Sequence, residues 1–99
     1  MKAVKVEYTV KPEYVNTNKA NIQKVMDELR TLGDTGTLYS TYIKDDGVSF
    51  VHFSIHRDEE NIIPTLESFK AFSNQLKSEG LTAPPQAIKL NLVAKSFDL

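Results

Sequence analysis

The stretch LYSTYIKDDGVSFVHFSIHR, from Leu38 to Arg57, decides the fold. Two strand-like arms, Leu38 to Lys44 and Val48 to Arg57, flank Asp45-Asp46-Gly47, and Asp-Gly between alternating segments signals a β-hairpin. In the second arm Val51, Phe53 and Ile55 alternate with Phe50, His52, Ser54 and His56. The apolar triplet is expected to face the core, leaving the His-containing set on the other side of the sheet. An even loop puts Tyr39, Thr41 and Ile43 on the face of His52; an odd loop puts Ser40 and Tyr42 there. A two-residue Asp46-Gly47 turn favours the first set.

The flanking segments complete the pattern. From Lys2 to Lys11, Val4, Val6, Tyr8 and Val10 alternate with Lys5, Glu7 and Thr9, as in a strand with one buried face, and Pro12 closes it. Asn16-Thr17-Asn18 offers helix N-cap oxygens, Ile22, Val25, Met26, Leu29 and Leu32 form a helical stripe, and Gly33 suits the C′ position. Pro64 fits a first helical turn, Ile62, Leu66, Phe69, Phe72 and Leu76 a second stripe, and Gly80 its end. Pro84-Pro85 excludes regular structure, and Ala87 to Lys95 alternates again, with Ile88, Leu90, Leu92 and Ala94 on one face. The order β-α-β-β-α-β predicts an α+β, ferredoxin-like domain over residues 1–99: a four-stranded antiparallel sheet with two helices on one face.

Composition narrows the function classes. With 99 residues, 40% hydrophobic and 25% charged, the chain suits one ordered domain. The absence of cysteine excludes disulfides, thiolate metal sites and a cysteine nucleophile. The net charge of −1 argues against nucleic acid or an anionic membrane as partner. No apolar run approaches the ~20 residues of a membrane span, and Met1-Lys2-Ala3-Val4 leads into a strand, so the expected compartment is the cytoplasm.

By alternation the uncovered sheet face is expected to carry Lys5, Glu7, Thr9, Phe50, His52, Ser54, His56, Lys89, Asn91 and Val93, with Tyr39. This mixture is too apolar for a solvated face and too polar for a dry core. It predicts a homodimer closed sheet against sheet, with a polar-lined interior.

The order of elements, the opening Val4-Lys5-Val6-Glu7-Tyr8-Thr9-Val10-Lys11-Pro12-Glu13, the hairpin and Phe69-Lys70-Ala71-Phe72 resemble the antibiotic-biosynthesis-monooxygenase-like family of the dimeric α/β-barrel superfamily. The resemblance implies a small homodimer whose two sheets pair into a barrel. It also implies a small aromatic or quinol-like ligand and cofactor-free monooxygenase or isomerase chemistry, so no cofactor is expected. A non-catalytic ligand-binding or structural dimer is the alternative. Where many relatives carry a glutamate and an aromatic on the third strand, this chain has Ser54 and His56, and it has no tryptophan.

Candidate chemistry centres on His52, read as a general base or ligand hydrogen-bonder, with Glu7 on the neighbouring first strand as its orienter. Tyr39, Phe50, His56 and Asn91 are the expected ligand-binding residues of the same face. His52 and His56 are not expected to share a metal, because four residues along a strand span about 13 Å. Gly33-Asp34-Thr35-Gly36-Thr37 follows a helix and enters a strand, the reverse of a phosphate loop, and reads as a connector. The rival class is RNA binding: Gly47, Phe50, Val51 and Phe53 match part of an RNA-recognition-motif signature, but Asp46 stands where a cation belongs and Lys5 where a stacking ring belongs.

Overall fold

Four strands and two principal helices follow in the expected order in the computed structural model, which describes residues 1–58 and 60–99. Strand β1 (Lys2–Thr9) leads through a 3-10 turn, Pro12–Tyr14, into helix α1 (Val15–Thr31). The hairpin strands are β2 (Thr37–Ile43) and β3 (Ser49–His56). A second 3-10 turn, Ile63–Thr65, precedes helix α2 (Glu67–Gln75), whose last turn widens into a π-type turn over Leu76–Gly80 before β4 (Gln86–Asn91). The sheet order is β2-β3-β1-β4, antiparallel throughout. This is the ferredoxin-like arrangement, and both helices lie on one face.

Sequence signals set most boundaries. Gly33 takes the left-handed conformation (φ +72°) just past α1, as a C′ glycine does. The start of α1 differs from expectation. Pro12 opens the 3-10 turn and the α-helix begins at Val15 with no side-chain cap, so Asn18 lies inside the helix rather than at its end. The last strand is shorter than expected, ending at Asn91. The hairpin loop keeps the even parity but spans four residues, 45–48. Lys44 N–H donates to the Ser49 carbonyl at 2.8 Å. The Asp46 carboxylate accepts from the Val48 and Ser49 N–H groups at 2.9 and 2.8 Å, fixing the turn.

Register corrects the face assignment of β3. Val4, Val6 and Tyr8 pair with Ser54, His52 and Phe50, and Tyr39 and Thr41 pair with Ser54 and His52. Directly paired residues share a face, so the set Phe50, His52, Ser54 and His56 lies under the helices. Val51, Phe53 and Ile55 point to the open side with Lys5 and Glu7. Physically, the three polar residues of the inner set each find a buried partner there, which offsets their desolvation. The core closes around them with Tyr8, Val10, Tyr14, Ile22, Val25, Phe50, Leu66, Phe72 and Leu76.

Candidate functional site

Helix α1 projects Asn18 from the stripe it shares with Ile22 and Val25, and Asn18 is 0% exposed. Its Nδ2 donates to the Tyr8 hydroxyl of β1 at 2.9 Å. The same hydroxyl lies 2.6 Å from His52 Nε2 on β3. On the other side of the imidazole, Nδ1 is hydrogen-bonded to the Tyr39 hydroxyl of β2, with Thr41 Oγ1 at 3.4 Å. Four residues from four elements thus form one chain, Asn18–Tyr8–His52–Tyr39. The rings of Tyr8, Tyr39 and Phe72 hold the imidazole at centroid distances of 5.2, 5.7 and 5.5 Å.

Burial fixes the protonation of this chain. Desolvation pushes the His52 pKa down to about 4 and pushes both tyrosine hydroxyls up, so at neutral pH all three are uncharged. A neutral imidazole donates from one nitrogen and accepts at the other. If Nε2 carried the proton, Tyr8 would accept twice, from Nε2–H and from the Asn18 amide. With the proton on Nδ1, Tyr8 donates to Nε2 and Nδ1–H donates to Tyr39. That arrangement satisfies the buried hydroxyl and ring donors of the chain and leaves the hydroxyl of Tyr39, with the Thr41 hydroxyl beside it, as the last member of the chain.

Tyr39 also lines a cavity of about 160 Å³ between the sheet and α2. Its walls are Val4, Val6, Ile63, Phe69, Phe72 and Leu76; Tyr8, Tyr39, His52 and Ser54 line its sheet side, and the exposed Asn61, Pro64 and Lys77 its rim.

Of the residues expected from sequence, the structure brings His52 and Tyr39 together and separates the others. Glu7 lies on the opposite face of the sheet from His52 and pairs with Lys44 at 3.3 Å and Lys5 at 3.9 Å, so it does not orient the imidazole. Phe50, 2% exposed, stacks on Tyr8 at 5.7 Å as core and presents no ring to a base. His56 is buried, bonded to Ser54 Oγ at 3.0 Å and Thr37 Oγ1 at 3.2 Å, with its pKa lowered by desolvation. Asn91 sits exposed on the edge strand opposite Lys2. Sequence reasoning misses Tyr8 and Asn18. The available signal is an asparagine in register with the α1 stripe, four residues before Ile22 and seven before Val25. Among the described residues no three His, Cys, Asp or Glu side chains cluster as metal ligands, and no helix is long and apolar enough to cross a membrane.

The fold places the chain in a structural class, the small ferredoxin-like proteins, and solved structures described as antibiotic biosynthesis monooxygenases share it. An antibiotic biosynthesis monooxygenase superposes with a TM-score of 0.80 at 15% identity, covering 95% of this chain and 100% of that one. Rv0793 from Mycobacterium tuberculosis gives 0.79 at 19% identity, covering 97% and 98%. A point mutant of SnoaB, a cofactor-independent oxygenase from Streptomyces nogalater, gives 0.65 at 11%, covering 98% and 97%. No family model and no curated protein matches the chain by sequence.

Proposed function

We propose that the helix–sheet cavity binds a small aromatic or quinol-like molecule, with Tyr39 donating a hydrogen bond to its oxygen and His52 positioning Tyr39. The observation that carries this is the Tyr39 hydroxyl at the end of a buried hydrogen-bonded chain, on the lining of a mostly apolar cavity. Apolar walls with a few placed polar groups hold and orient an oxygen-bearing ring. His52 is a poor base for such a ligand. A phenol near pKa ~10 and an imidazole at about 4 differ by roughly 6 units, on the order of 8 kcal/mol against proton transfer. Its role is therefore positional.

The likeness in fold to SnoaB supports cofactor-free oxygenation as the activity of this site. The open sheet face supports a homodimer, since Leu38, Tyr42, Val51, Phe53, Ile55, Ile88 and Leu90 all lie on it. NMR titration of the labelled chain with hydroquinone tests the binding. Shifts are expected at Tyr8, Tyr39, His52 and Phe72, and Tyr39→Phe is expected to weaken affinity about three- to tenfold, the worth of one hydrogen bond. Shifts confined to other surfaces refute the site. Oxygen uptake with the same quinol, lost in Tyr39→Phe, makes the protein an oxygenase; binding without uptake makes it a non-catalytic carrier.

A further inference from the structure

Building on that cavity reading, we infer that the ligand is a one-ring aromatic carboxylate, with its ring oxygen at Tyr39 and its carboxylate at the Lys77 rim. Size sets the ring count. The cavity is open at its Lys77 rim, and its volume of about 160 Å³ is what one benzene-sized ring fills (~150 Å³ in an enclosed site), about half the lower end of the ~300–1,000 Å³ that drug-sized ligands occupy. Phe69 and Phe72, 5.6 Å apart and tilted by 48°, form an aromatic wall, and the packed core behind Phe72 does not open by a second ring at low cost.

Charge sets the substituent. No Asp or Glu lines the cavity among the described residues, and Lys77 is its one cation. Lys70 is engaged with Glu67 at 3.3 Å and Lys44 with Glu7 at 3.3 Å, whereas Lys77 has no ion-pair partner among the described residues. Asn61, also on the rim, accepts the Ile63 N–H with its Oδ1 at 3.0 Å, which leaves its Nδ2 as a donor. An ammonium and an amide N–H₂ at the exposed end match a carboxylate, and the Tyr39 hydroxyl on the sheet side matches a phenol or carbonyl oxygen. The site thus distinguishes its ligand at both ends.

Calorimetric titration, paired with NMR, of the full chain with 4-hydroxybenzoate, neutral hydroquinone and the two-ring 1,4-dihydroxy-2-naphthoate tests this. The expected result is 4-hydroxybenzoate binding at least tenfold tighter than the naphthoate. Lys77→Ala is expected to weaken 4-hydroxybenzoate about two- to fivefold at low salt, less at high salt, as exposed ion pairs behave, and to leave hydroquinone unchanged. Equal or tighter binding of the naphthoate overturns the one-ring inference, as does an equal effect of Lys77→Ala on the charged and neutral probes. If only the naphthoate shifts the Tyr39 and His52 resonances, the cavity-binding reading stands and this inference falls. If no probe shifts them, the cavity-binding reading itself falls.

Discussion

His52 is 5% exposed and flanked by two phenols, and that position has a cost that pH reveals. Its folded pKa, about 4, lies below the unfolded value near 6.5, so between them the unfolded chain binds more protons. Stability is therefore expected to be flat above about pH 6.5 and to fall on acidification towards pH 4, by on the order of 3 kcal/mol in total. His56, also lowered by burial, adds in the same direction. Urea midpoints at pH 7 and 4.5 measure the slope, and His52→Gln is expected to flatten it except for the share of His56. An unchanged slope in that variant assigns the effect elsewhere. Tyr8→Phe leaves the Asn18 amide without its acceptor and His52 Nε2 without its donor; a loss of about 1–3 kcal/mol in urea unfolding is expected. At this scale the sequence already singled out His52 and Tyr39, since two polar side chains in one alternating register stand out. Tyr8 read as core, correctly, because a phenol's ring and its hydroxyl obey different rules.

The elements show where local signals suffice. Gly47 closes the hairpin at φ +74° with open space around it, so Gly47→Ala is expected to cost only the backbone strain, about 1–2 kcal/mol. Gly80 is different. Its conformation is ordinary, but an added Cβ would lie 2.5 Å from the Tyr14 ring, and Gly80→Ala is expected to cost about 1–3 kcal/mol by overpacking. Thermal unfolding of Gly80→Ala in the Tyr14→Ala background checks this, because the added penalty should largely vanish once the ring is gone. Sequence named Gly47 as the hairpin turn and Gly80 as the end of the second helix, the latter without the contact that requires it. The capping oxygens expected at the start of α1 were misplaced for a related reason. Pro12 initiates a 3-10 turn earlier, and the asparagine that looked like a cap is the buried anchor of the site.

At the level of the whole molecule, the sheet carries a polar network among its core residues under the helices and a second set of apolar residues on the open side. Leu38 and Tyr42 remain 48% and 60% exposed there on the edge strand β2, beside β3, which also presents Val51, Phe53 and Ile55. A sheet face of this composition is a protein interface more often than a solvated surface. Phe53→Glu is expected to convert a sedimenting dimer to a monomer while leaving the His52 hydrogen bonds and the circular dichroism spectrum intact. A wild-type chain that sediments as a monomer at micromolar concentration refutes the dimer.

Sequence by itself determined the element order, the hairpin parity, the core strand Val4-Val6-Tyr8-Val10 and the pairing of His52 with Tyr39 on one face, because periodicity and turn chemistry are local and survive without tertiary context. Which side of the sheet that face would occupy was decided only by tertiary structure. Both faces of β3 carry enough apolar surface to be buried, so hydrophobicity alone favoured the wrong one. The deciding term was the hydrogen-bond satisfaction that Asn18, Tyr8 and Tyr39 supply under the helices, a sum over four elements that no single stretch of chain contains.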